Sequence, residues 1–203
     1  MDLGPRGGLS MYTSPRRWYA TTSRACAQAL PTEKGRGMSE ASDTALLLVR
    51  VVLGVVMVVH GWNHWRGGGG ITGTARWFGG LGLTRPRLQA WLSVLTELGA
   101  GALLLTGFLT PLACAAVLSV MLVAGLLAHR RNGFFVFKEG YEYVLVLGVL
   151  AVALGAWGPG KCAIDEAADI AVTGWAGAGV VVGVGVVATA GLLAVFWRPR
   201  RAS

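Results

Sequence analysis

The sequence predicts an all-α membrane protein: a four-helix transmembrane bundle with an additional C-terminal transmembrane helix, five spans in all. Three observations predict that class. Of 203 residues, 54% are hydrophobic and only 14% charged, where a soluble domain carries about a quarter charged residues. The apolar residues gather into five runs, most of them near the roughly 20 residues that cross a bilayer. The 31 glycines suit helices whose backbones approach closely in lipid.

Taken in order, residues 1–43 are polar, rich in Gly, Ser and Arg, and without apolar periodicity, so they are expected to be disordered. Their acid-poor composition also suits an organellar transit peptide. Met38 opens a compact start, MSEASDTALLLVR, which would make the preceding residues a start-site artefact. The first span is expected over 44–62, with Arg50 inside it and His60 near its end. Residues 63–87 form a connection in which Trp65, Trp77 and Phe78, with Trp62 just before it, are interleaved with Arg66 and Arg76, as in a segment lying at the membrane interface.

The second span runs over 88–108, and Thr110-Pro111 turns the chain into a third, to about residue 128, closed by His129-Arg130-Arg131. An aromatic loop leads to a fourth span over 141–157, with Glu142 in its first turn. The only acidic connection comes next and carries Cys162, Asp165, Glu166 and Asp169. The fifth span, within 167–197, contains GVVVG at 179–183, a helix-packing pattern through which Gly179 and Gly183 could pair two copies of the chain. The core domain is therefore 44–166, followed by the fifth helix over 167–197 and a basic tail, 198–203.

Glu97 is the centre of the reading. A charged acid at a helix centre costs roughly 2.5–3.5 kcal/mol, so such a residue faces protein, water or a partner. Five alternating spans put His60, His129 and Glu142 near one membrane face, with Glu97 roughly 14 Å deep and Arg50 roughly 9 Å from the opposite face. A polar pocket is expected to run from Arg50 through Glu97 to His60, His129 and Glu142, with His64 and Asp165 as secondary members. Arg50 is the candidate partner of Glu97. Duller readings stand beside these: Arg50 can snorkel to the headgroups, and His129 and Glu142 lie at span ends where polarity costs little. His60 and His64 have a spacing that metals use, but with no clear third ligand no metal site is assigned.

The net charge of +8 does not indicate nucleic acid, because no basic-aromatic module accompanies it. The basic residues are topology determinants. Ten lie on the face of the first and third connections and the C-terminus, against three close to the membrane on the other. The positive-inside rule then puts the C-terminus in the cytoplasm of a plasma-membrane protein. Cys114 and Cys162 fall on the opposite face, where they either form a disulfide or, more simply, stay as a packed thiol and a free one.

His60-Gly61, Glu97 with Gly101, Gly107-Phe-Leu-Thr, His129, Gly133-Phe134 and Gly140-Tyr141-Glu142 resemble the membrane core of DoxX-family proteins. Arg50 with Gly54, and Ile164-Asp165, fit the opening and closing of that core. The resemblance implies a four-helix bundle associated with redox and sulfur metabolism, one relative being a subunit of thiosulfate:quinone oxidoreductase. His64 stands where the family often has Lys, and the fifth span lies outside the core.

Residues and resemblance together point to a membrane component of a redox system, with quinone as the cofactor to look for and a soluble redox partner as electron source; no flavin, haem or iron–sulfur motif is visible. If it is an enzyme, it is a membrane subunit of a quinone-linked oxidoreductase. A non-catalytic scaffold or assembly factor is the alternative. A transporter is third, since no inverted repeat is evident.

Overall fold

A computed structural model of the protein describes Met1 and residues 33–199. The chain divides into a unit of residues 1–40 and a unit of residues 41–203. Most of the expected disordered tail lies outside the described residues. Its end does not: helix α1 covers Glu33–Arg66, beginning well before Thr44, because Glu33, Lys34, Met38 and Ala41 are good helix formers and no proline interrupts them.

Helices α2 (Gly70–Gly80), α3 (Pro86–Thr106), α4 (Thr110–Ala124), α5 (Glu142–Trp157), the single turn α6 (Ile164–Ala167) and α7 (Gly174–Phe196) complete the chain. Four stretches are long and apolar enough to cross a membrane: Glu40–Arg66, Pro86–Thr106, Thr110–Asn132 and Gly174–Phe196. The fifth apolar helix, α5, has 16 residues, about 24 Å of rise, against a hydrocarbon core of about 30 Å. Among the described residues there are helices and one isolated bridge, Leu83 to Trp197, and no strand. The architecture is a helical membrane bundle.

The ends of the helices have local causes. Proline stands in the first turns of α3 and α4, where its missing N–H costs nothing. α3 stops at Gly107, whose φ of +66° is left-handed, and Phe108 N–H returns to Leu103 O at 3.0 Å. α4 loosens into a π-helical turn over Gly125–His129.

The core lies between α1, α3, α4, α5 and α7, around Leu53, Met57, Leu104, Val117, Leu154 and Val181. Valines 52, 55 and 59 of α1 are exposed, as a lipid-facing stripe should be. α1 and α3 cross where Gly54 meets Gly101: a side chain at 101 would lie 2.8 Å from the Gly54 carbonyl. The C-terminal helix is part of the bundle, since α7 packs on both α4 and α5. Its buried stripe is Gly177, Val181, Gly185 and Thr189, four residues apart. Gly179 and Gly183, the expected pairing motif, face away and have nothing within 4 Å.

This arrangement predicts opposite outcomes for neighbouring glycines. A Cβ at Gly177 would collide with the Gly155 carbonyl, so Gly177→Ala should cost about 1–3 kcal/mol through overpacking. Gly179→Ala should be neutral or gain up to about 1 kcal/mol from helix propensity. Thermal unfolding in mild detergent measures both.

Cys114 and Cys162 are both free, the first buried and the second exposed. The disulfide alternative is therefore not formed: Cys114 is turned into the core beside Val117 and Ala113, while Cys162 sits on the outer surface of its loop.

Candidate functional site

The polar residues of α3 define the site. Gln89, Ser93 and Glu97 are spaced four apart and so share one face of the helix. Gln89 is 3% and Glu97 2% exposed. Both line a cavity of about 140 Å³ closed by His64 of α1, Trp77 and Phe78 of α2, Val123 of α4 and Leu192 of α7. Glu97 Oε1 accepts a hydrogen bond from the Ser93 hydroxyl at 2.5 Å, and His64 Nε2 lies 3.7 Å from the same oxygen. That separation is an ion pair when the imidazole is protonated, and too long for a hydrogen bond. Glu97 Oε2 and Gln89 Nε2 are buried with no partner among the described residues. An unmatched acceptor and an unmatched donor on one cavity wall are costly to leave so, about 1–3 kcal/mol each.

The aromatic wall is held by α2, the segment expected at the interface. His64 stacks on Trp77 at 6.0 Å and meets Phe78 at 5.9 Å, and Thr74 Oγ1 donates to the His64 carbonyl at 2.9 Å, which ties α2 to the end of α1. Trp197, just beyond α7, donates from Nε1 to Leu81 O at 3.2 Å, and Thr84 N–H donates to Phe196 O at 2.8 Å. The C-terminal helix thereby fixes the turn between α2 and α3. Leu81 and Leu127 line both this cavity and a more polar recess outside it.

The expected continuous pocket is not formed, and Arg50 does not pair with Glu97. Arg50 is 1% exposed and points toward the other end of the bundle. Its Nη1 donates to Pro159 O at 2.7 Å and its Nη2 to Cys162 O, and it packs on Gly107. Gly107 is ten residues beyond Glu97 on α3, roughly 15 Å away by helical rise. The carbonyls of the 158–162 loop outcompete a distant carboxylate because they reach Arg50 directly.

Asp165, a secondary candidate, belongs to this second cluster. It is 1% exposed, and its two oxygens accept from Leu109 N–H at 2.7 Å and Thr110 N–H at 2.8 Å. It thus caps α4 from a remote loop and holds Leu109 at a left-handed φ of +49°, where a leucine is strained. Asp165 also acts electrostatically on Arg50.

The remaining candidates lie elsewhere. His60 stacks on Tyr143 of α5 at 5.9 Å, with Nδ1 buried and without a partner among the described residues. His129 Nδ1 meets Glu139 O at 2.7 Å, and Glu142 Oε2 accepts from Val136 N–H at 3.0 Å. Both fold the aromatic loop back on itself and stand outside the Glu97 cavity. Gln89 is the site residue that a search for charge does not find, because it is neutral and sits in the first turn of its helix.

An apolar helical bundle enclosing a buried, half-satisfied carboxylate defines a polytopic helical membrane protein. The DoxX family model matches residues 45–130, and that segment is similar to DoxX-family proteins. It is 26% identical over 117 residues to "Putative oxidoreductase CatD" of Bacillus subtilis, covering 58% of this chain and 83% of that one. To "Inner membrane protein YqjF" of Escherichia coli it is 26% identical over 134 residues, covering 64% and 95%. No solved structure matches the chain.

Proposed function

We propose that this protein is the membrane component of a redox system and that the cavity beside Glu97 holds a small, flat, hydrogen-bonding ligand, with a quinone head as the first ligand to test. The observation that carries the reading is the pair of unpartnered buried atoms, Glu97 Oε2 and Gln89 Nε2, on one wall of an otherwise aromatic and aliphatic cavity. A cavity of about 150 Å³ accepts a single benzene ring, which is the size available here. Gln89 would donate to a ring carbonyl, Trp77 and Phe78 would cover the ring, and Glu97 would hold or release a proton at Oε2, with His64 as the group nearest the interface. A quinone would supply two-electron redox chemistry, its electrons coming from a soluble partner. The name of the Bacillus subtilis relative lends the redox reading support.

Purification in mild detergent, organic extraction and absorbance provide the test. Bound quinone should be recovered from the native protein and fall at least tenfold in Glu97→Gln, which leaves the donor–acceptor pairing mismatched. A native protein that carries no quinone and takes none up from added stock would leave the scaffold reading in its place.

Location in the plasma membrane, with the C-terminus in the cytoplasm, rests on the distribution of Arg and Lys. In that orientation the exposed thiol of Cys162 faces outward. A membrane-impermeant maleimide should label Cys162 in intact cells and leave Cys114 unmodified until the protein unfolds. Labelling of Cys162 only after lysis would reverse the topology. Self-association through the outward-facing Gly179 and Gly183 belongs to the same proposal.

A further inference from the structure

A second site lies on the opposite side of α4. An apolar groove of about 660 Å³ runs between α4, α5 and α7. Arg130 and Tyr141 line one end of it, and Ala156 and Trp175 the other. Its length is therefore about that of α5, roughly 24 Å, or most of one hydrocarbon core. Gly125 and Gly148 keep its floor low, and the π-helical turn at Gly125–His129 delivers Arg130 to its end.

Arg130 and Leu126 also line a separate, more polar recess of about 250 Å³, together with Arg131, Trp197 and the backbone of Gly80–Gly82. The apolar groove and the polar recess thus meet at Arg130. Neither cavity has an acidic residue in its lining. The side chains of Arg130 and Arg131 make no hydrogen bond or ion pair among the described residues, and Glu142 Oε2 accepts from the Val136 N–H. Two uncompensated guanidinium groups at the end of a membrane-spanning helix lie at headgroup depth, where a phosphate is the complementary charge and the planar fork is suited to its oxygens.

We propose that this composite site binds one anionic phospholipid, with an acyl chain in the groove and the phosphate held at Arg130 and Arg131. Any lipid tail can fill an apolar groove; the selection resides in the headgroup. Two juxtamembrane basic residues acting together strengthen anionic-lipid attraction roughly thirtyfold. The groove shares no lining residue with the Glu97 cavity, and the recess adjoins that cavity only at Leu81 and Leu127.

The test is native mass spectrometry of the full-length protein equilibrated with equal amounts of dioleoyl phosphatidylglycerol and dioleoyl phosphatidylcholine. One phosphatidylglycerol should be retained in preference by about tenfold or more. The preference should vanish in the Arg130→Gln/Arg131→Gln double variant, and Ala153→Phe, which fills the groove wall, should reduce retention of both lipids. Far-UV circular dichroism and elution volume confirm that each variant is folded. Equal retention of the two lipids overturns the proposal, as does an unchanged preference in the double variant. Displacement by glycerol 3-phosphate at the concentration where the intact lipid saturates would make this an ion site and not a lipid site, and overturns it too.

Discussion

Asp165→Ala is expected to destabilise the bundle by about 3–5 kcal/mol, the range for breaking a buried charged cluster by removing one partner. Three losses coincide. The N–H groups of Leu109 and Thr110 lose their acceptors, the left-handed Leu109 loses what holds it, and the buried Arg50 loses its compensating field. Asp165→Asn should recover part of this, because one amide oxygen can still accept. The measurement is thermal unfolding of single and double variants in detergent. Arg50→Leu and Asp165→Ala should be less than additive, since they act on one network, while Arg50→Leu and Glu97→Leu should add within about 0.5 kcal/mol, as distant sites do. Additivity in the first pair, or strong coupling in the second, would restore the Arg50–Glu97 pairing that the sequence suggests.

That pairing fails because depth and contact are different kinds of information. Span positions follow from apolar runs, so the five helices and the alternation of their ends are legible in the sequence. Depth along a helix is also legible, and it leaves Arg50 within side-chain reach of the level of Glu97, which is why a pairing is expected. What a buried side chain meets at its own depth depends on loops folded over it, and no periodicity reports that. Pro159, Cys162 and Asp165 lie more than a hundred residues beyond Arg50, and their roles rest on the directions of two carbonyls and one carboxylate that the sequence does not encode locally. The same holds for His129 and Glu142, whose partners are backbone groups of one short loop.

More of the Glu97 site is legible than its charge alone reveals. Gln89, Ser93 and Glu97 recur every four residues in an apolar helix, which is the signature of a polar stripe facing protein. Charge singles out Glu97, whereas only the four-residue spacing brings in its two neutral neighbours. The outward placement of Gly179 and Gly183, against the inward Gly177 and Gly185, is a matter of phase: only the partner helices α4 and α5 decide which face of α7 is buried.

Glu97→Leu is expected to leave thermal stability unchanged or raise it by about 1–3 kcal/mol, while abolishing ligand binding at the cavity. The carboxylate has one bond of its own, from Ser93, and one oxygen with no partner; removing an unsatisfied buried acceptor returns its desolvation cost. The nearest cation-forming group, His64, is 3.7 Å away, and an imidazole can stay neutral at physiological pH, so its loss of a partner need not strand a charge. Leucine is close in volume and fits the apolar walls of Leu92, Val120 and Val123. Asp165 is the natural control, because both acids are almost fully buried and differ mainly in how completely they are satisfied. A residue whose removal stabilises the fold is retained for what it does, in keeping with the cost that functional sites impose on stability. Unfolding midpoints of Glu97→Leu and Asp165→Ala, measured side by side, separate the two roles: a large loss of stability in Glu97→Leu would make that acid structural and withdraw the ligand site built around it.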